Sequence, residues 1–186
     1  MSIVLHGVAA GKGIAIGHAH LITRGAAEVP QYDIDPDKLE AEVARFDNAI
    51  KATRKELEQL RSAIPENAPT ELGAFISLHL MLLTDVTLSR EPIDILREQK
   101  INAEWALKQQ SDKLAAQFDS IDDDYLRERK QDMLQVVRRI HNNLVGQSNE
   151  INLAGNLFDD TVLIAHDLSP ADTVLFKEQH ITAFVT

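Results

Sequence analysis

The sequence from Phe75 to Leu88 reads FISLHLMLLTDVTL, and it is apolar on more sides than one packed helix face requires. One face follows the helical spacing of a core-facing stripe and comprises Leu72, Phe75, Ile76, His79, Leu80 and Leu83. A second apolar set points elsewhere and comprises Leu78, Met81, Leu82 and Leu88. Such a helix is either wrapped by neighbours on every side or presents its second face to another surface. Periodicity alone leaves both interpretations open.

The amino-acid composition limits the classes of protein to which the chain can belong. The 186 residues suffice for one large domain or two small ones, and the absence of cysteine excludes disulfides and thiolate metal sites. We expect a cytoplasmic chain with no membrane insertion, because neither a signal peptide nor an apolar run of spanning length is present. The net charge of −10 argues against binding to nucleic acid and suits a basic protein partner, although charge alone supports acidity for solubility more strongly.

The middle of the chain reads as helical. Asp35 and Pro36 are typical of an N-cap and first position, and apolar residues then recur at helical spacing to about residue 62. The central helix is predicted from about Thr70 to Leu83, with a turn at Thr84-Asp85. Three further helices are predicted after Glu91-Pro92, after the N-cap Asn102 and after the acidic run Asp122-Asp123-Asp124.

Both ends of the chain read as β-structure. Residues 2–23 contain short apolar runs between glycines, and a β-α-β unit is predicted from strands at 161–165 and 181–185 around a helix that starts at Ser169-Pro170. One sheet built from both ends predicts a split α/β subdomain (1–34 and 146–186) with an inserted all-α subdomain (35–145). Since the chain stops after a strand, where α/β proteins place ligands, we expect it to be cut from a longer protein.

No short motif assigns a catalytic residue or a cofactor. The spacing of Gly7, Gly11 and Gly13 does not fit a phosphate loop, because Lys12 is followed by glycine instead of Ser or Thr. No Ser or Cys stands in a nucleophile elbow. The sequence therefore predicts neither a nucleophile nor a bound cofactor in this chain.

The histidines leave two readings open. His18 and His20 share a strand face, and a metal site there would need further ligands such as His6 or His166, which nothing in the spacing demands. His79 lies within the apolar face of the central helix. We interpret it as a core histidine with one hydrogen bond, with catalysis as the alternative.

Four segments resemble enzyme I of the bacterial phosphotransferase system, the phosphoenolpyruvate–protein phosphotransferase. His79-Leu-Met-Leu-Leu-Thr-Asp85 with Leu88 resembles the family's H-x-M-L-L-x-D-x-x-L, and Asp123 to Arg129 with Asp132 resembles its D-D-x-Y-L-x-E-R-x-x-D. Gly13-Ile-Ala-Ile-Gly17 resembles its opening strand, and Val162 to Pro170 resembles its V-x-L-V-A-x-D-L-T-P. The four segments occur in order along the whole chain.

The resemblance implies an α/β subdomain with a phosphate-accepting histidine and a helical subdomain that docks the histidine phosphocarrier protein HPr. The family's active-site histidine lies in a G-G-x-x-S-H segment, which would follow a strand ending like Phe184-Val-Thr186. We therefore expect this chain to be inactive, with no catalytic residue of its own. Magnesium and phosphoenolpyruvate would belong to the missing carboxy-terminal domain. The chain is expected to be a monomer, and its parent a cytoplasmic homodimer.

The resemblance also implies which residues dock HPr. The apolar positions are Leu78, Met81, Leu82 and Leu88, and the charged positions are Glu71, Asp85 and Arg129. His79 becomes a structural histidine beside this surface. Uncharged residues stand where relatives commonly carry charge, namely Thr70, Leu72, Ser77, Thr84, Val86 and Thr87. The apolar contacts are therefore expected to dominate docking.

Two other functions remain as alternatives. The chain would be a non-enzymatic helical scaffold if it bound some other basic protein. It would be part of a phosphoenolpyruvate synthase or dikinase if it shared only the phosphohistidine subdomain, but the match at both helical segments disfavours that reading.

Overall fold

The structure is a computed structural model that describes residues 4, 6–9, 11, 13–22, 29–65, 68–146, 160–165, 168 and 181–186, with side chains given except at 22 and 124–128. Most of the described chain is helical, and a small sheet joins its two ends. His166, considered above as a possible metal ligand, and the helix predicted to begin at Ser169-Pro170 lie outside the described residues.

Six α-helices occupy the described residues between the strands. After a 3₁₀ turn at Pro36–Lys38, the helices are α1 (Leu39–Ser62), α2 (Thr70–Leu82), α3 (Val86–Ser89), α4 (Glu91–Gln99), α5 (Ala103–Asp119) and α6 (Asp124–Leu144). These bounds confirm the predicted helices, including the break after Leu83, and add the short α3. We refer to α1–α6 as the helical block.

The helical block is held by one apolar core and by polar links between long helices. Phe46 and Leu57 of α1, Ile76 of α2 and Val136 and Ile140 of α6 are fully buried within it. Arg139 of α6 forms a salt bridge with Glu56 of α1. Arg45 of α1 donates a hydrogen bond to the backbone carbonyl of Leu144 in α6. Since later residues of α1 meet earlier residues of α6, the two helices run antiparallel.

The sheet consists of three parallel strands in the order β1 (His18–Ile22), β2 (Thr161–Ala165) and β3 (Ile181–Val185). This confirms that both ends of the chain contribute to one sheet and that the last two strands are parallel. The wider β-prediction for 2–23 is wrong at 14–17, which form no strand, and Ile14 and Ile16 are 95% and 86% exposed. Because β2 begins opposite His18, residues 14–17 have no described partner strand at that register.

Two predicted helix caps are formed differently from the expectation. Asp35 makes no side-chain cap bond, and its carboxylate accepts from Lys38 Nζ at 3.1 Å instead. Asn102 precedes α5 but its side chain also makes no cap bond, because its amide contacts the backbone of the incoming segment at Pro30 and Tyr32. Both residues stand at the predicted boundaries. A local ion pair replaces the cap bond of Asp35, and tertiary contacts replace that of Asn102.

Gly17 is required for the approach of β1 to β2. The backbone amide of His18 donates to the carbonyl of Asp160 at 2.9 Å, and a Cβ added at Gly17 would lie 1.7 Å from that carbonyl oxygen. No side chain fits this contact without moving the strand, so glycine is dictated by the close approach of two backbones.

We predict that Gly17→Ala weakens the pairing of β1 with β2. Amide hydrogen exchange in His18–Ile22 should accelerate roughly tenfold or more, which corresponds to at least about 1.4 kcal/mol of lost local stability. Gly73→Ala is the matched control, because nothing lies within 4 Å of its added Cβ and a helical site gains about 1 kcal/mol from alanine. Unchanged exchange in β1 of Gly17→Ala would contradict the close approach.

Candidate docking surface

The core face of α2 is buried as its spacing predicts. Ile76 and His79 are 0% exposed and Leu83 just beyond the helix is 1% exposed, while Phe75 and Leu80 pack partly against the core. The helix therefore enters the bundle along one continuous stripe. Whether α2 also presents a second apolar surface depends on the exposure of its remaining apolar side chains.

An apolar corner remains exposed where α2 meets α3. Met81 and Val86 are each 61% exposed, although both are large apolar side chains. Leu78 and Leu82 are half-buried. Leu78 is a neighbour of both Met81 and Leu82 on the helix surface, because it lies three residues before the first and four before the second. We call Leu78, Met81, Leu82 and Val86 the apolar corner.

Asp85 creates the bend at this corner. Its Oδ1 accepts from the backbone N–H of Thr87 at 2.9 Å and from the Thr87 hydroxyl at 2.7 Å, which caps the start of α3. These hydrogen bonds lower the pKa of Asp85 below its ordinary value. The segment Val86–Gln99 consequently continues at 60° to α2. The carboxylate stays exposed, but its first role in the structure is to cap a helix.

The prediction that Leu88 lies on the exposed face is wrong. Leu88 is 1% exposed and belongs to the apolar core. The expectation extended the register of α2 past residue 83, whereas the cap at Asp85 starts a new helix in a new direction. That restart turns Leu88 inward and leaves Val86 outside.

Of the predicted charged contacts, Glu71 lies far from the apolar corner and Arg129 is already paired with a neighbouring acid. Glu71 is exposed in the first turn of α2, ten residues before Met81 and therefore about 15 Å away along the helix axis. Arg129 of α6 is half-buried, and its Nη1 donates to Asp132 Oδ2 at 3.1 Å. Their docking roles stay predictions.

Val86 is the exposed residue that the sequence reasoning missed as a surface contact. The available signal was the capping pattern Asp85-Val-Thr87, in which an acidic residue two positions before Thr commonly accepts its backbone N–H. That pattern predicts a helix start and places Val86 in its first, outward-facing turn.

His79 is buried beside the corner without a hydrogen bond. Both ring nitrogens lack a partner within the described part of the chain, so the expected single hydrogen bond is absent. The ring lies against Phe75 with centroids 4.1 Å apart. Burial, reinforced by the positive charge of Arg139, lowers the pKa of His79 to about 4. The imidazole is therefore neutral and inaccessible at pH 7, which suits a packing role and not phosphate transfer.

The described residues contain no group of three or more histidines, aspartates or glutamates that would hold a metal ion. His18 instead bonds Asp160 through Nδ1 at 3.1 Å at the start of the sheet. The resemblance assigns magnesium to a carboxy-terminal domain outside this chain, and that assignment stays a prediction.

Within the described chain, no single helix is both long and apolar enough to cross a membrane. The bent pair of α2 with Val86–Gln99 passes on length and composition only.

Comparison with known proteins identifies the family. The family described as PEP-utilising enzyme, N-terminal, matches residues 6–129. The chain belongs to this family of PEP-utilising enzymes. Among curated relatives of this PEP-utilising family, the phosphoenolpyruvate-protein phosphotransferase of Cupriavidus necator is 42% identical and is matched over 100% of this chain and 33% of its own length. The protein of the same name from Bacillus subtilis is 33% identical over 98% of this chain and 31% of its own.

Solved structures of PEP-utilising relatives agree with this assignment. A solution structure of Enzyme I (nEIt) superposes with a TM-score of 0.73 at 30% identity, covering 91% of this chain and 68% of that one. The N-terminal domain of Enzyme 1 - Nitrogen has a TM-score of 0.65 at 24% identity and supports the fold alone. The chain thus corresponds to the N-terminal domain of enzyme I, and it spans about a third of the length of the curated relatives it matches.

We predict that His79 makes the folding of this PEP-utilising domain sensitive to acid. The unfolded chain protonates this histidine near pH 6.5, whereas the folded chain does so only near pH 4. The contribution is therefore intact above pH 6.5 and is lost as the pH falls towards 4, by about 3 kcal/mol. Chemical denaturation of His79→Leu between pH 7 and 4 should show a shallower loss than the unmodified chain.

Ser77→Ala serves as the control, because it alters the exposed side of the same helix and no ionisable group. Its loss of stability with pH should parallel that of the unmodified chain. Equal slopes for His79→Leu and the unmodified chain would contradict the neutral, buried imidazole.

Proposed function

We propose that the helical block docks the histidine phosphocarrier protein HPr through the apolar corner. The observation that carries the proposal is the simultaneous exposure of Met81 at the end of α2 and Val86 at the start of α3, each 61% exposed, while Ile76 and His79 on the core face of α2 are fully buried. Exposure of large apolar side chains to water is unfavourable, and their burial against a partner surface would stabilise the complex. The similarity to enzyme I makes a phosphocarrier the partner of choice.

Charge supports a basic partner with a mainly apolar contact. The net charge of −10 favours encounter with a positively charged surface. Close to the corner, however, the residues are largely uncharged, because Thr84, Val86 and Thr87 surround the cap. The carboxylate of Asp85 is already engaged by Thr87. Affinity should therefore arise from buried apolar area, with charge acting on the association rate.

We further propose that the domain has the split organisation predicted from the sequence. The helical subdomain would span 35–145, and the ends 1–34 and 146–186 would form the α/β subdomain. In support, the helical block has its own core, and strands from both ends share one sheet. This arrangement would place a docked carrier on one subdomain and the phosphorylated group on the other.

The parent protein would transfer phosphate from phosphoenolpyruvate to a histidine and then to HPr. Phosphoryl transfer needs donor and acceptor in line and little covalent work from the protein, so the docking surface is part of the mechanism. The chain described here would supply this positioning. Its buried, neutral His79 is unsuited to accept phosphate, and none of its seven histidines stands in a G-G-x-x-S-H segment.

We predict that Met81→Ala weakens HPr binding by about 1–2 kcal/mol, or roughly 5–30-fold in dissociation constant, because an exposed anchor is truncated. Its free energy of unfolding should change by less than about 0.5 kcal/mol. Leu88→Ala should behave in the opposite way and destabilise the fold by about 2–5 kcal/mol, since Leu88 is 1% exposed. Calorimetric titration with HPr and denaturant unfolding separate the two effects.

Leu21→Ala is the matched control for this pair, since Leu21 is 63% exposed but lies in β1. Its affinity for HPr should equal that of the unmodified chain. If Met81→Ala binds HPr as tightly as Leu21→Ala, docking at the apolar corner is refuted. Absence of any HPr binding to the folded chain would favour the scaffold alternative.

We also predict that the chain does not become phosphorylated. Incubation with phospho-HPr, or with phosphoenolpyruvate and a complete enzyme I, should leave its intact mass unchanged. The complete enzyme in the same tube is the positive control. A stoichiometric phosphate adduct on any of the seven histidines would overturn the assignment of the chain as a docking module.

A further inference from the structure

The chain crosses twice between the sheet and the helical block, and both crossings lead to the same side chains. The first crossing includes residues 29–34 and the second leaves α6 at Leu144. In the described part of the chain, the extensive packing runs from strand to strand and from helix to helix. Among the described residues, the points where the two crossings leave the block are therefore the main links between the block and the sheet.

The first crossing is fastened by the turn between α4 and α5. Asn102 donates its backbone N–H to the carbonyl of Tyr32 at 3.1 Å, and its Oδ1 accepts from the backbone N–H of Tyr32 at 3.1 Å. Its Nδ2 donates to the carbonyl of Pro30 at 3.0 Å. The backbone N–H of Ile34 donates to the carbonyl of Lys100 at 2.7 Å. One asparagine, 0% exposed, thus holds three backbone groups of this crossing.

The end of α6, from which the second crossing leaves, is held by Arg45 of α1. Its Nη1 donates to the carbonyl of Leu144, the last residue of α6, at 3.0 Å. A cation at this position satisfies a helix-terminal carbonyl and complements the helix dipole. Gly146 follows with a φ of 69°, so the chain turns away two residues after this contact.

Two glutamates join these fastenings into one network. Arg45 forms a fork with Glu104 through two bonds of 2.7 Å, and it donates to Glu42 at 2.6 and 3.0 Å. Glu104 Oε2 also accepts from Asn102 Nδ2 at 3.0 Å, and Glu42 Oε1 accepts from the backbone N–H of Ala103 at 2.8 Å. We call Glu42, Arg45, Asn102 and Glu104 the crossing cluster.

The cluster is partly buried and internally satisfied. All five N–H groups of Arg45 have acceptors, and the side chains of Glu104 and Glu42 are 7% and 11% exposed. Burial alone raises the pKa of Glu104, but the bonds from Arg45 and Asn102 outweigh it and lower the pKa to about 2. A network of this kind has one low-energy geometry, and partial loss of it leaves charges unpaired.

We propose that the crossing cluster fixes the orientation of the sheet relative to the helical block. Its four members are therefore positioning residues for transfer between the α/β part and a carrier docked at the apolar corner. The structural claim stands on the contacts above, whereas its consequence for transfer rests on the proposed function. Neither Arg45 nor Asn102 belongs to the apolar corner, so orientation and docking can be measured separately.

The absence of cysteine allows the orientation to be measured directly with spin labels. Thr182 of β3, Lys51 of α1 and Gln117 of α5 are exposed labelling sites. A Lys51→Cys, Thr182→Cys pair reports the distance from block to sheet by pulsed electron paramagnetic resonance. A Lys51→Cys, Gln117→Cys pair reports the integrity of the block.

The expected result is one dominant block-to-sheet distance in the unmodified background and a broadened or shifted distribution in Arg45→Lys. Lysine keeps the charge but cannot reproduce the fork to Glu104 together with the bond to Leu144. Arg97→Lys is the matched control, because Arg97 makes a similar two-bond contact with Glu40 at the surface. It should retain the unmodified distribution.

An unchanged block-to-sheet distribution in Arg45→Lys, with the within-block distance intact, would overturn the proposal. If the block itself broadens in Arg45→Lys, Asn102→Ala decides, since it removes the side-chain hydrogen bonds to Pro30 and Tyr32. It leaves the backbone hydrogen bond from residue 102 to the carbonyl of Tyr32 and the fork between Arg45 and Glu104. No change in Asn102→Ala would then refute it. The affinity of Arg45→Lys for HPr should stay within about twofold of the unmodified chain. Loss of HPr binding in the unmodified chain would refute docking and leave the distances interpretable.

Discussion

The apolar surface of α2 exceeds what one side of a helical bundle can cover, and the organisation of the helical block follows from this excess. Ile76 and Leu83 anchor one stripe in the core, and no polar stripe of similar width exists to face water. Part of this surface is exposed at Met81, and Val86 at the start of α3 extends it. A surface of this kind is costly unless a partner covers it, so the same residues that decide the fold also point to the function.

The bend at Asp85 divides the apolar residues between core and surface. Hydrogen bonds from Thr87 fix the cap, and the new helix direction buries Leu88 while it exposes Val86. Sequence spacing located the break but not its geometric consequence. The register of an α-helix predicts faces only within one continuous helix, and a single capping residue restarts it.

The long helices and the three strands were predictable because their periodic patterns are long or stand between clear turn signals. The hydrogen-bond partners of Asn102 were not predictable. Its position before α5 was correct, but its amide bonds to Pro30 and Tyr32, seventy residues earlier in the chain. Likewise, the ring nitrogens of His79 have no hydrogen-bond partner among the described residues, and this depends on which helices enclose the ring. Local propensity marks where an element starts, whereas the partners of a polar side chain are set by the tertiary structure.

Docking and orientation are separate requirements of one transfer reaction. The apolar corner would hold the carrier, and the crossing cluster around Arg45 would hold the frame in which the carrier meets the α/β part. Because phosphoryl transfer depends on positioning more than on covalent work by the protein, both would belong to the proposed mechanism. Their physical bases differ, since the first is exposed apolar area and the second is a buried, hydrogen-bonded charge network.

Amide chemical-shift mapping of the chain during titration with unphosphorylated HPr tests the central claim most directly. The account predicts that the largest shifts fall at Leu78, Met81, Leu82 and Val86, with little change in the strands. If these four residues show no shift at saturating HPr, or if the largest shifts are confined to the sheet, the prediction is contradicted.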